Sequence, residues 1–320
     1  MNGGLEILSL SVARYRLEWE VESRMRLPEY AGSALRGVFG AALRRVVCLT
    51  GKPECPGCGS WRSCPYPLIF ETPVPVSATG ERMQAVVPNP YMIEPPPWGE
   101  RIYQPGESLV FHMVLVGKAL AQLSLIVFAW QRALARGVGP DHGKARLLRV
   151  VHVESQGERE IFHSEGQSLL AHDSCVSVPP WPGPSTVTMQ IITPARVQRD
   201  GSPLGPERIT PRDLLVNLMR RVSQVMELHG QRTMEADYAD LAQQARLIDA
   251  RGRLTWRDWT RRSARQQQTM ALGGVVGTWH LTGPLELFWP FLYLGQWLHV
   301  GKNATFGLGH YRLIEMESRS

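Results

Sequence analysis

The sequence predicts an α+β protein built as two copies of one strand-and-helix plan, divided by a proline-rich joint. Three observations predict it. The first is a change of period: residues Leu8 to Val21 alternate as a strand, and apolar residues at 35, 38, 39, 42, 43, 46 and 47 then follow helical spacing. The second is a recurring order. Ser108–Val116 reads as a strand, Ala119–Arg136 as an amphipathic helix, Gly137–Gly143 as a glycine loop and Arg146–Val153 as a strand. Val275–Leu281, Leu285–His299, a second glycine loop and His310–Met316 repeat that order. The third is Val178-Pro179-Pro180-Trp181-Pro182-Gly183-Pro184, which can continue neither a helix nor a central strand.

Each element has its local reason. The helix near residues 31–47 starts after the turn at Pro28; its outer face carries Arg36, Arg44 and Arg45, and Gly37, Gly40 and Ala41 leave that face bare. Beyond the joint, Thr186–Ile192 is a strand. Thr210-Pro211-Arg212-Asp213 then opens a helix with an N-cap threonine, a proline in the first turn and a capping-box acid. Leu214, Leu215, Leu218, Met219, Val222, Val225 and Met226 form its buried stripe, and Gly230 closes it. The polar stretch Gln231–Gly252 reads as a helix-leaning insertion. Each half is thus β-α-β-β-α-β, the ferredoxin-like plan, with the first domain over 1–177, the linker over 178–184 and the second domain over 185–320.

Composition is that of a globular chain of 320 residues, 43% apolar and 20% charged. The net charge of +6 is a mild excess, concentrated in local arginine clusters that suit a polyanion. No apolar stretch reaches the roughly 20 residues that a membrane-spanning helix needs. The start Met1-Asn2-Gly3-Gly4 lacks the features of a signal peptide. A cytoplasmic protein without a membrane partner is expected, and in that reducing compartment five cysteines do not make a disulfide framework.

Four of the cysteines, Cys48, Cys55, Cys58 and Cys64, fall within one short insertion at 48–64. A C-x2-C knuckle flanked by two further thiols can place four sulfurs at about 2.3 Å from a tetrahedral ion. Structural zinc is expected there, ahead of an iron–sulfur cluster, which uses the same ligands, and of four reduced thiols in a loop. With all four positions filled by protein, such an ion would leave no open site for catalysis. Cys175 stands alone.

Two stretches point to nucleic acid. Arg253–Gln268 holds five arginines, among them Arg257, Arg261, Arg262 and Arg265, with Trp256 and Trp259. Arginine pairs with phosphate through a planar fork, and indole faces stack on bases. The loop Gly301-Lys302-Asn303-Ala304-Thr305-Phe306-Gly307-Leu308-Gly309 is not a Walker loop, because its lysine follows the first glycine. Three glycines beside Lys302 and Asn303 suit a backbone that approaches phosphates with its N–H groups.

The helix "GSALRGVFGAALRRVVC", the run "CPYPLIFETP", the internal "LVGKAL" and the closing "GKNATFGLGHYRL" together resemble the CRISPR-associated RAMP endoribonucleases that process precursor CRISPR RNA, the Cas-six family. The likeness extends over most of the chain, and the glycine-rich loop before the last strand is its hallmark. It implies a tandem RAMP/RRM-like fold and a protein that holds CRISPR repeat RNA. Cleavage would be metal-independent, by 2′-hydroxyl attack giving a 2′,3′-cyclic phosphate, with no catalytic cofactor. Crossing partners would be crRNA and other subunits of a CRISPR effector.

The sequence departs from that pattern at Ala41, where the resemblance implies a histidine. Alanine transfers no proton. Natural loss of cleavage, a different acid–base residue and an engineered inactivating substitution each account for it, and the bare, arginine-flanked face favours the last. Tyr30, His142 and His310 are the other titratable candidates. The leading reading is a pre-crRNA-processing endoribonuclease inactivated at Ala41. Its rivals are a non-catalytic subunit holding the 3′ hairpin of crRNA, and a zinc-containing interaction protein unrelated to RNA.

Overall fold

A computed structural model describes residues 8–74, 87–154, 157–166, 168–183, 186–230, 234, 236–262 and 269–314, with the side chains of 261, 262, 269 and 270 excluded. Arg265 and Pro184 therefore lie outside the described residues, as do the side chains of Arg261 and Arg262. The chain divides into two compact units: Ser11–Ser174, and the described residues on either side of that span.

The first unit is a five-stranded antiparallel sheet with helices on one face. Its elements are β1 (Val12–Val21), α1 (Gly32–Val47), α2 (Pro65–Phe70), β2 (Tyr91–Glu94), β3 (Ser108–Val116), α3 (Leu123–Arg136), β4 (Ala145–Glu154) and β5 (Gly157–His163). The strand order is β2-β3-β1-β4-β5. Without the edge strand β5 this is the ferredoxin-like order, in which each crossover helix skips one strand. Odd positions of β1 turn Tyr15, Leu17 and Trp19 inward, where Trp19 stacks on Phe111 with ring centroids 6.0 Å apart. The even positions carry an ion-pair mesh: Glu18 accepts from Arg16 at 2.7 Å and from Arg149 at 2.5 Å, and Arg146 pairs with Glu20.

The second unit repeats the plan with β6 (Thr186–Ala195), α4 (Pro211–His229), the short α5 (Tyr238–Gln244), β7 (Asp249–Arg257), β8 (Thr260–Arg262), β9 (Thr269–Ala271), β10 (Gly274–Thr282), α6 (Trp289–Leu298) and β11 (Tyr311–Ile314). Its main sheet runs β7-β10-β6-β11, the same skip pattern, and β8 pairs with β9 as a separate hairpin. The tandem ferredoxin-like fold is therefore as the sequence predicts. The capping box forms: Asp213 donates its N–H to the Thr210 hydroxyl at 3.3 Å and accepts the Thr210 N–H at 3.0 Å.

Three expectations need correction. Ser9–Leu10 pairs with Val176–Ser177, so residues 8–10 and 175–177 belong to the second unit, and the division falls after Ser174 rather than at 177. Local pattern reads Leu8–Val21 as one strand because it cannot see that Ser11 accepts from Gly117 and lets the chain change sheets. The supposed insertion Gln231–Gly252 ends inside β7, an edge strand whose polar residues at 249, 251, 253, 255 and 257 alternate with Ala250, Gly252, Leu254 and Trp256, a period that a boundary drawn at Gly252 cuts in two. Finally, Gly117–Gln122 and Leu285–Phe288 are 3₁₀ turns that shorten the two predicted helices, the second before a proline in the first turn of α6. No helix among the described residues is long and apolar enough to cross a membrane.

Two histidines on the first sheet contribute to the acid sensitivity of the first unit. Burial holds His112 and His152 below the ordinary histidine value of 6.5, and for His152 the neighbouring His172 adds to the effect. The folded form keeps them neutral, so the unfolded chain binds more protons on the acid side. Their contribution is complete above about pH 6.5 and declines as pH falls through their lower folded values. The urea midpoint is expected to drop between about pH 7.5 and about pH 5, and less steeply in His152→Asn. An equal pH slope in both proteins would contradict this.

Candidate nucleic-acid interface

In the first unit, α1 buries Leu35, Phe39, Ala42 and Leu43, and it stops at Cys48, whose extended backbone still donates to Arg44 O. Its outer strip consists of Gly37, Ala41 and Arg45, all exposed and one turn apart. A Cβ built at Gly37 meets nothing within 4 Å. Ala41 thus sits on an open helical surface with a cation one turn further on. The other two predicted arginines do not share this strip. The Arg36 guanidinium lies 4.2 Å from the Phe70 ring centroid and reaches the Tyr91 hydroxyl. Arg44 donates to Pro53 O at 2.7 Å and to Lys52 O, and lies over the Tyr66 ring.

The remaining candidates of this unit fall apart in space. Tyr30 is 2% exposed and packs against Trp98 with ring centroids 4.9 Å apart, a core position. His142 is exposed at a tight turn with φ 49°. The cysteines behave otherwise. Cys48, Cys55, Cys58 and Cys64 line one cavity of about 270 Å³ with Arg44, Lys52 and Glu54. Hydrogen bonds from the Gly51 backbone and the Thr50 side chain lower the Cys48 thiol, and the Thr50 side chain followed by the Ser60 backbone lowers Cys58. Burial raises Cys55.

In the second unit the glycine loop packs on its own scaffold. Gly301 has φ 88°, and a Cβ there would fall 2.7 Å from Arg196 O; at Gly309, φ 73°, it would fall 1.8 Å from Val300 O. Only glycine fits either place. The expectation that these amides face phosphate is corrected. Gly301 N–H donates to Asn217 Oδ1 at 2.9 Å, Lys302 N–H to Arg196 O at 3.0 Å and Gly309 N–H to Pro194 O at 3.0 Å. Phe306 and Gly307 N–H close a 3₁₀ turn on Asn303 O and Ala304 O. The glycines hold a tight knot that displays the exposed Lys302, with Asn303 half-buried in the left-handed conformation.

Behind the knot lies a histidine pair. His310 is half-buried and stacks on His299 with ring centroids 5.0 Å apart and planes 13° apart. His299 is fully buried with φ 62°, and its Nδ1 lies 3.2 Å from Leu308 O, so Nδ1 carries the proton that this carbonyl accepts. Arg221 of α4 donates to Leu298 O at 2.5 Å, and its burial lowers the guanidinium to about 10. Sequence reasoning missed His299 because it falls at the end of an apolar helix pattern; its place next to Gly301 was the available signal.

The helix-free face of the second sheet is the other feature that sequence reading missed. Tyr311 OH donates to Leu292 O of α6, which assigns Tyr311 and its partner Ile191 to the helix side. Gln190 and Arg312, paired in register, therefore point the other way, and Arg312 Nε donates to Gln190 at 2.5 Å. Along β7 the same face carries the exposed Arg251 and Arg253 opposite His280 and Thr278, with Asp249 at the far end. Arg257 shares the parity of that row. Among the described residues no ion pair holds Arg251 or Arg253, whereas the corresponding face of the first unit is neutralised by its own acids. Replacing Arg251 and Arg253 together by alanine is expected to weaken binding of a polyanionic RNA and to lower the salt slope by about one per arginine. Arg146→Ala, on the neutralised face, leaves the slope unchanged; equal effects would remove the distinction.

Comparison with known proteins follows this geometry. A family model described as an N-terminal domain, AF_1859_N, matches residues 10–174, more than half of the chain. A second, the CRISPR-associated endoribonuclease Cas6, matches residues 189–311. No curated protein matches in sequence. Among solved structures, a Cas6 (TTHB231) product complex superposes with a TM-score of 0.58 at 16% identity, covering 95% of this chain and 99% of that one. The Thermus thermophilus Cas6 (TTHB231) structure gives 0.51 at 16% identity over 96% and 99%. A partial Cas6-RT-Cas1–Cas2 complex gives 0.53 at 15% identity over 97% of this chain and 47% of that one. At these identities the superpositions speak for the fold. The first model covers more than half of the chain, so the chain belongs to the family that carries the AF_1859_N domain, and its residues 189–311 match the CRISPR-associated endoribonuclease Cas6.

Proposed function

We propose that this chain binds CRISPR repeat RNA and has the architecture to cut precursor crRNA once, with Ala41 standing where the proton-transferring residue of the first helix belongs. The observation that carries the reading is the basic row Arg251 and Arg253, which no ion pair holds among the described residues, joined by Arg312, on the helix-free face of the second sheet. Exposed Lys302 adds a cation at the glycine loop, and Arg45 another beside Ala41. The reaction needs no metal. The 2′-oxygen attacks phosphorus, the bond from phosphorus to the 5′-oxygen breaks, and a 2′,3′-cyclic phosphate and a 5′-hydroxyl result. One group takes the 2′ proton and another returns a proton to the leaving oxygen. Arginine and lysine stabilise the phosphorane charge between these events.

A second reading is supported by the strip itself: Gly37, Ala41 and Arg45 supply a cation but no side chain that exchanges protons near neutrality. On that reading the chain retains the 3′ hairpin of crRNA as a subunit of a CRISPR effector and does not cut. Both readings require preference for repeat RNA. Labelled repeat RNA is expected to bind at moderate salt more tightly than a scrambled RNA of equal length, and equal affinity for the two would overturn both. The Ala41 substitution taken up in the Discussion separates them.

A further inference from the structure

We propose that Cys48, Cys55, Cys58 and Cys64 hold one structural zinc ion as four thiolates, and that this ion staples the end of α1 to the start of α2. The placement of the ligands argues for it first. Cys48 is the residue that ends α1, and Cys64 is the residue that precedes Pro65 at the start of α2. A shared ion would tie together two helices that are 17 residues apart at these ends only through a loop of turns.

The loop chemistry argues for it second. The Cys55-Pro56-Gly57-Cys58 segment is already a closed turn, with Cys58 N–H donating to Cys55 O at 3.0 Å and Gly57 at φ 84°. Backbone groups of Thr50 and Gly51 bond the Cys48 sulfur, and Ser60 bonds that of Cys58. Amides aimed at sulfur are what a bound thiolate requires of its surroundings, because they offset its charge. The Thr50 hydroxyl lies 3.9 Å from the Cys48 sulfur and 3.6 Å from that of Cys58, bridging the two. All four cysteines are free thiols that are partly accessible, and all line the same cavity of about 270 Å³. Arg44 and Lys52 on its wall balance the double negative charge of a zinc tetrathiolate, against Glu54 on the same wall.

The sulfurs converge without closing. Among the described residues no three of them lie mutually within 4.8 Å, whereas sulfurs around a tetrahedral ion at 2.3 Å are about 3.8 Å apart. Binding therefore draws the loop inward, and it should be measurable as ordering of residues 48–64. Soft thiolates select zinc or iron over magnesium or calcium, and four protein ligands leave no open position for chemistry.

The proposal stands apart from the RNA reading, since its test reads metal rather than cleavage. Full-length protein, grown with zinc supplied and purified without chelator, is expected to carry one zinc per chain by elemental analysis. Exchange with cobalt(II) should give the visible absorption of a tetrahedral thiolate site. Cys58→Ser and Cys48→Ser should retain the metal at least about tenfold less well against a chelator, while Cys175→Ser behaves as the parent. Should the serine variants fail to fold, chelation of the parent protein replaces them: slower proteolysis at 48–64 on adding zinc back supports the proposal. A metal-free protein with five titratable thiols, a bound iron or iron–sulfur chromophore, or undiminished zinc in Cys58→Ser would each overturn it.

Discussion

The Ala41→His protein is expected to cut repeat RNA at a single phosphodiester in excess chelator, about 10²- to 10⁴-fold faster than the parent chain. Ala41 is exposed in the middle of α1, so an imidazole there enters solvent without displacing a packed group. Its helix-propensity penalty is only about 0.5 kcal/mol, too little to disturb the fold. Gly37 offers open space one turn before it, and Arg45 a cation one turn after it. The new activity should follow a pH profile with a limb near about 6.5, the ordinary histidine value. Ala41→Asn, which forms hydrogen bonds but does not titrate, should stay inert, and a 2′-deoxy substitution at the scissile nucleotide should abolish the cut. If Ala41→His binds repeat RNA as the parent does and leaves it whole, the processing reading fails and the hairpin-holding subunit remains.

Trp130→Ala is expected to destabilise the first unit by about 3–5 kcal/mol, the range for emptying a large aromatic site. Trp130 is fully buried on α3 and joins three elements. It stacks on Phe39 of α1 at 4.8 Å and 18°, meets Phe111 of β3 at 4.8 Å, and directs its indole N–H to the Met113 sulfur at 3.2 Å. Phe39 is two residues before Ala41, so the cavity opens beneath the helix that carries Ala41. Denaturant unfolding should show the loss, with Trp130→Phe recovering much of it. RNA bound by the basic row of the second unit should be affected far less than cleavage by an Ala41→His background. A stability change below about 1 kcal/mol would mean that α1 is not held through this aromatic column.

Much of the fold was legible because it is local. The 3.6 period of α1 and α4, the capping box at Thr210 and the closing Gly230 involve residues within a few positions of one another, and each forms as read. The duplication was legible for the same reason, as order along the chain. The edge strand β7 was not, because its alternation runs across Gly252, where a polar stretch reads as ending, and only four small or apolar residues mark its inner face. The candidate site was legible only in its outline. The cysteine spacing and the glycine loop mark places, but a place does not reveal its partners.

The sequence by itself determined two ferredoxin-like halves, the four cysteines of the loop after the first helix, and a glycine loop before the last strand. Tertiary structure alone decided which groups remain available to a ligand. It turned Arg36 toward Phe70 and Tyr91, held Arg44 on the loop carbonyls, and bonded the amides of Gly301, Lys302 and Gly309 to Asn217, Arg196 and Pro194. It also set His299 against His310 and, among the described residues, left Arg251 and Arg253 without an ion pair. The physical reason is distance along the chain. Period and spacing are properties of neighbours, whereas the partner of a charge or an amide is chosen by packing between residues dozens of positions apart.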